Sequence, residues 1–168
     1  MCGILGQVSR NIDRREFKSR LGLLHHRGPD DSGIYFDENI ALGHTRLSIL
    51  DLSTDGHQPM ISNCENFIIN YNGEIYNFEE IKKDLIQKGY VFNSQTDTEV
   101  LLYGYIEYIE NIVNKLNGMF AFSIYDKKEV KLFLARDRSG MKPLYYFKDD
   151  KFFSFSSEIR TLTKHSSS

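Results

Sequence analysis

The chain opens MCGILG (residues 1–6), and its second residue is the one to explain. A buried structural cysteine can sit anywhere in a sequence. At position 2, loss of Met1 makes Cys2 the N-terminal residue, so that one residue carries both a thiol and a free α-amine. An α-amine has an ordinary pKa of about 8 and can take a proton near neutral pH. Nucleophile and base then share a residue, as in the N-terminal threonine variant of the catalytic triad, and no histidine is needed. The plainer reading is a small apolar residue leading into a first strand. The stretch CGILGQVS (2–9) supports a short buried strand, with Ile4, Leu5 and Val8 as its apolar positions.

The rest of the chain reads outward from that strand. DRREFKSRLGLLHHRG (13–28) predicts a helix capped by Asp13, with Phe17, Leu21 and Leu24 on one face and Gly28-Pro29 as the stop. Two strands follow, SGIYFD (32–37) and IALGHTRLSIL (40–50), joined by a turn at 37–39. Residues 51–66 lack periodicity and predict a long loop, a length that in compact domains is often functional. FIINYNGEIYN (67–77) returns to strand with Asn72-Gly73 as a hairpin signal. Two helices are predicted next, near 77–89 and from 96 onward. Asn77 with Glu80, and Thr96 with Glu99, have the spacing of capping boxes. A short amphipathic piece occupies 111–118. Four strands, 119–126, 130–137, 143–149 and 151–157, and a short final helix at 157–163 complete the pattern. Strands, then helices, then strands again predict an α+β protein with antiparallel sheets.

Composition narrows the function classes. The 168 residues suit one domain, 40% of them are hydrophobic, and ten Tyr and twelve Phe favour strands. A net charge of −2 gives no electrostatic attraction to nucleic acid or to an anionic membrane. No run approaches the length of a membrane span. The chain opens with neither a basic n-region nor a long apolar h-region, so no signal peptide is expected. With only two cysteines, Cys2 and Cys64, a cytoplasmic location with reduced thiols is expected.

Four short motifs carry candidate chemistry, each with a structural alternative. Cys2 is the first. In YNGEIYN (71–77), a backbone N–H at Gly73 beside the Asn72 side-chain amide makes a two-donor oxyanion hole, or the pair is simply a hairpin turn. In GHTRLSILD (43–51), Arg46 lies in apolar strand context and needs an anion, either an internal carboxylate or a substrate carboxylate. In QTDTEV (95–100), Asp97 is either a first-turn acid or a partner for a substrate ammonium. Adjacent His25-His26 point in different directions on a helix and make a poor metal site. Arg27 and Asp30 read as turn-shaping residues, His44 and His57 as packing or surface residues, and Cys64 has no assigned role. No phosphate-binding glycine loop occurs.

The order of the motifs is more telling than any one of them. MCGI, HRGPDDSG, GHTRLSILDLS, GHQPM, YNGEIYN, TDTEV, LNGMFAFSIYD, ARDRSGMKPLYY and SSEIR together resemble the glutaminase domain of class II glutamine amidotransferases, a branch of the N-terminal-nucleophile hydrolases. RGPD and RLSILD resemble the asparagine synthetase branch in particular. The resemblance covers residues 1–163, leaving 164–168 as an expected disordered end. It implies a four-layer αββα sandwich of two antiparallel sheets. It implies that Cys2 is the nucleophile once Met1 is removed and that Asn72 and Gly73 form the oxyanion hole. Arg46 is implied to hold the carboxylate of L-glutamine, and Asp97, helped by Glu74, its ammonium. Leu47, Ile49 and Leu50 are implied to line the pocket with backbone groups. The implied reaction is hydrolysis of glutamine through a thioester, releasing ammonia, with no cofactor and no metal.

Ser139 and Met141 depart from the family's usual bulky apolar residue and isoleucine. The chain also has no Ser-Gly-Gly-x-Asp pyrophosphate loop, so an ATP-using synthetase domain is expected to be absent from it. The ammonia acceptor is then a synthetase domain or a separate partner protein. The alternative function is a silent module of the same fold that senses glutamine or binds a partner.

Overall fold

The structure, a computed structural model, describes residues 1–48 and 56–162. Among them are nine strands and three α-helices: β1 (Gly3–Ser9), α1 (Arg14–Gly22), β2 (Asp31–Phe36), β3 (Ile40–Arg46), β4 (Met60–Ile61), β5 (Phe67–Ile75), α2 (Phe78–Gln87), α3 (Asp97–Tyr108), β6 (Gly118–Asp126), β7 (Lys131–Arg136), β8 (Tyr145–Lys148) and β9 (Phe152–Ser156). Short 3-10 turns at His25–Arg27, Ile109–Asn114 and Ile159–Thr161 complete the described elements. None of the described helices is long and apolar enough to cross a membrane.

The strands form two antiparallel sheets, ordered β2-β3-β1-β9-β8 and β4-β5-β6-β7. Strand alternation sorts side chains into three apolar layers. Ile4, Leu42, Ile68, Ala121 and Phe155 meet between the sheets. Their chain neighbours face outward. Leu5 and Ala41 pack under α1 with Phe17, Leu21 and Leu24. Ile69, Phe120 and Phe122 pack under α2 and α3 with Ile81, Leu85, Val100 and Leu101. The result is the four-layer αββα sandwich. Because β1 is covered on both faces, its residues Gly3 to Gln7 are all buried, which accounts for an apolar run rather than an alternation.

Local signals fared unevenly. Asp13 caps α1 as predicted, its Oδ1 accepting from Arg15 N at 2.8 Å and Glu16 N at 3.1 Å. The helix ends at Gly22, short of the predicted Gly28, and His25–Arg27 tighten into a 3-10 turn. Thr96 caps α3 through Glu99 N. Glu99 does not complete the box, because its carboxylate accepts from Asn93 N and Ser94 N. Asn77 does not cap α2. Its amide bridges to Lys115 O and Asn117 N, pinning the α2 start to the turn before β6. At α2 a long-range demand outcompeted the local cap, and at α3 the cap formed while the loop at 93–94 took the Glu99 carboxylate. The larger correction concerns Asn72-Gly73, which is no turn. Both lie inside the nine-residue β5, paired with Ala121 and Phe120 of β6. Within the predicted loop 51–66, residues 51–55 lie outside the described residues, and Met60–Ile61 form the short strand β4. The expected end at 164–168 also lies outside them.

His44 lies between the sheets with no exposure, Nε2 at 2.9 Å from Tyr71 O. Burial lowers its pKa from 6.5 to about 4. The unfolded chain therefore takes up a proton near pH 6.5 that the native state refuses until about pH 4. Stability should fall across that window by up to about 3 kcal/mol and level off below it. Urea midpoints of the parent and of His44→Gln, compared at pH 7 and pH 4.5, check this. The variant should lose less on acidification.

Candidate active site

The short β4 creates the site. It pairs with β5 only through Met60↔Ile69 and Ile61↔Ile68, so the β5 edge beyond residue 69 has no strand beside it. In an antiparallel strand, alternate residues direct N–H and C=O to the same edge. Tyr71, Gly73 and Ile75 therefore present their backbone groups on that open edge. Side chains satisfy two of the three. Gln58 Oε1 accepts from Tyr71 N at 2.7 Å, and His44 Nε2 takes Tyr71 O. Asp97 Oδ2 accepts from Ile75 N at 3.0 Å. Gly73 is left with its N–H directed at a cavity.

That cavity is lined by Met1, Cys2, Arg46, Leu47, Gly56, Gln58, Asn72, Gly73, Glu74, Asp97 and Lys142, among others. Its volume is about 130 Å³. That is the scale of a cavity taking a benzene-sized molecule, well below the several hundred Å³ of drug-sized pockets. Cys2 sits at one wall, half-buried, with Sγ 3.4 Å from the Leu47 N that donates to it and 3.7 Å from Leu47 O. Arg27 Nε donates to Cys2 O at 3.0 Å, and Glu158 holds Arg27 through Nη1 at 3.3 Å. Glu158 also binds His26 and Arg160, and these cationic neighbours hold its carboxyl below the usual range despite the opposing effect of burial.

Asn72 is 2% exposed, and its Nδ2 has no hydrogen-bond partner among the described residues. A buried amide donor without an acceptor is costly, and such groups concentrate where a ligand supplies the partner. Asn72 and Gly73 thus bring two unsatisfied donors to one end of the cavity. Arg46, at the end of β3, packs its guanidinium on Gly56, where a Cβ would fall 2.1 Å from Nη2. Asp97, first residue of α3, is buried, and Tyr71 Oη donates to its Oδ2 at 2.6 Å. Burial raises the Asp97 pKa, and the hydrogen bonds from Tyr71 and Ile75 oppose that rise. Burial beside Asp97 pushes the Tyr71 hydroxyl well above its ordinary value, so it stays a donor. Glu74 is exposed at the cavity mouth.

The described sequence candidates therefore converge: Cys2, Arg46, Leu47, Asn72, Gly73, Glu74 and Asp97 line one cavity. Ile49 and Leu50 lie outside the described residues. Three contributors were not singled out for it. Gln58 caps the β5 edge, Arg27 fixes the Cys2 carbonyl, and Lys142 closes a wall. A glutamine preceding a proline in an aperiodic loop was the only local signal for the first. Arg27 was read as a turn residue. Asp30 does shape the turn, donating its N–H to Arg46 O and accepting from Ser48 N at 2.9 Å.

Comparison with known proteins now identifies the architecture. The family model described as glutamine amidotransferase domain matches residues 1–168. The chain belongs to this family. It is 42% identical over 171 residues to asparagine synthetase [glutamine-hydrolyzing] 3 of Bacillus subtilis, covering 98% of this chain and 28% of that protein. It is 36% identical to asparagine synthetase B [glutamine-hydrolyzing] of Escherichia coli, covering 89% of this chain and 27% of that one. The chain thus spans about a quarter to a third of the curated relatives it matches. A solved glutamine phosphoribosylpyrophosphate amidotransferase from B. subtilis superposes with a TM-score of 0.82 at 22% identity, covering 96% of this chain and 43% of that one, which shows the shared fold.

The glycine of the Asn72-Gly73 pair has a steric basis. A Cβ on Gly73 would lie 2.4 Å from Met119 O and 2.8 Å from Phe120 Cα. Gly73→Ala should destabilise the domain by about 1–3 kcal/mol through overpacking. A urea denaturation series checks this, the fall being expected in the midpoint and not in the slope.

Proposed function

We propose that this domain hydrolyses L-glutamine to L-glutamate and ammonia through a Cys2 thioester, and passes the ammonia to a synthetase domain or partner of the asparagine synthetase type. The observation that carries the reading is the cavity that sets the Cys2 thiol beside two unsatisfied donors and between a buried cation and a buried carboxylate.

In this reading Met1 is removed and the Cys2 amine takes the thiol proton. Sγ attacks the side-chain amide carbon of glutamine. The oxyanion accepts hydrogen bonds from Gly73 N–H and Asn72 Nδ2, donors whose individual loss typically lowers rate by about 10²–10³. The C–N bond breaks, the amine returns its proton to the departing nitrogen, and ammonia leaves. Water then adds to the thioester with the amine as base, the C–S bond breaks, and glutamate departs. Arg46 holds the substrate α-carboxylate, Asp97 and Glu74 its α-ammonium, and backbone groups of Leu47, Ile49 and Leu50 border it. No cofactor or metal takes part. A reducing cytoplasm belongs to this reading, since it keeps the Cys2 thiol free. A glutamine-binding module without turnover is favoured only if Met1 is retained, because Met1 also lines the cavity and its peptide bond removes the amine.

Intact mass after treatment with 6-diazo-5-oxo-norleucine tests the reading. The expected product is a chain lacking Met1 with one adduct, absent in Cys2→Ala, whose fold is unchanged and whose glutaminase activity is lost. Hydrolysis that survives Cys2→Ala overturns it. Arg46→Ala should raise the glutamine KM at least about tenfold, the scale of a charged hydrogen bond. Because Asp97 must be ionised to hold an ammonium and burial raises its pKa, KM should climb as pH falls. Tyr71→Phe removes a hydrogen bond that lowers that pKa, so the climb should begin at higher pH in the variant.

A further inference from the structure

Lys142 is a charged residue of the cavity that the mechanism above leaves unused. It is 7% exposed and lines the same cavity as Cys2, Asn72 and Gly73, yet its ammonium makes no hydrogen bond or ion pair among the described residues. Its main chain, by contrast, is held on every side. Asp137 Oδ2 accepts from Lys142 N at 3.0 Å and from Phe120 N at 3.2 Å, and Oδ1 accepts from Met141 N at 2.8 Å. Arg136 Nε donates to Lys142 O at 2.7 Å, and its Nη2 donates to Gly140 O at 2.7 Å. Gly140, at φ 63°, makes the left-handed turn that lets residues 137–142 fold back on β6. Phe120 is the register partner of Gly73. The loop therefore anchors the Lys142 main chain beside β6, and its side chain lines the cavity that Gly73 also lines.

The side chain is largely covered while its ammonium keeps access to the cavity, where an anion of the reaction can reach it. Asp97 is already engaged by Tyr71 and Ile75. The anions that arise at the Gly73 end are the Cys2 thiolate and the carboxylate that replaces the scissile amide. Resting on the glutaminase reading, we propose that Lys142 is the counter-ion of this reacting end, favouring the thiolate of Cys2 and receiving the side-chain carboxylate of glutamate. It acts through Cys2 as a positioning residue for charge; among the described residues the other charged or titratable groups are Arg46 from β3, Tyr71 and Glu74 from β5, Asp97 from α3, Asp137 and Arg136 on the Lys142 main chain, Arg27 on the Cys2 carbonyl and the α-amine of the chain.

The experiment is the pH dependence of Cys2 alkylation by iodoacetamide, read by intact mass on the full chain in a Cys64→Ser background, because Cys64 is exposed and would also react. An opposite charge facing a thiol favours its ionised form. Lys142→Met should therefore raise the alkylation midpoint by about one pH unit, a tenfold loss of thiolate at neutral pH. Glutamate should protect Cys2 only at about tenfold higher concentration in that variant. Lys142→Arg should restore both. Should Lys142→Met fail to fold by circular dichroism, Lys142→Gln against Lys142→Arg poses the same question, and equal midpoints overturn the proposal. Turnover of glutamine with no shift in Lys142→Met overturns the role of Lys142 alone. A shift in a chain that never hydrolyses glutamine overturns the glutaminase reading while sustaining the charge coupling.

Discussion

The site depends on an unpaired strand edge. Backbone N–H and C=O groups must find partners, and an exposed edge normally invites another strand. Here β4 stops after two residues, and the edge of β5 is divided among a glutamine side chain, a buried histidine, a carboxylate and the cavity. The Gly73 donor is available because no neighbour completes the ladder. The same groups that close the rest of the edge place Gln58 and Asp97 on the cavity wall. Strand termination, cavity and open Gly73 donor are one arrangement.

This explains the density of polar groups between and beside the sheets. His44 stays neutral because burial opposes its protonation, and as a neutral ring it serves Tyr71 O. Asn70 donates to Leu5 O and Gly43 O, tying β5 to β1 and β3 across the inter-sheet layer. Tyr71 fixes Asp97 from the other face. Each bond ties one layer to another, so the cavity walls belong to different layers and hold their relative positions. The bonds are not all complete, since His44 Nδ1 and Asn70 Oδ1 are buried without a partner among the described residues, but those that are made fix the relative positions of the layers.

Sequence patterning captured what depends on periodicity and on local caps. Phe17 and Leu21 share a face because helical spacing demands it, Leu24 joins them from beyond the helix end, and Asp13 caps because its partners are two and three residues away. Asn72-Gly73 misled for a physical reason. A glycine needed for a turn and a glycine needed for close approach of Met119 and Phe120 look identical in sequence. Asn77 misled because its amide was taken by Lys115 and Asn117, some forty residues away. The candidate site was legible through the order of its motifs. Gln58 and Lys142 escaped notice because their place is set by register and loop closure, which no short window contains. Local propensity yields wherever a distant partner binds more strongly.

The pairing of β1 has a consequence in time. The first strand made lies between β3 and β9, and Ile4 is held by Ser157 at both its N–H and its carbonyl. Cys2, at the very start of the chain, thus completes its surroundings only when a segment some 150 residues later arrives. Until then β1 has a partner on one side only. Such long-range closure slows folding relative to local contacts. The surroundings of Cys2 are thus complete only when both ends of the domain have met.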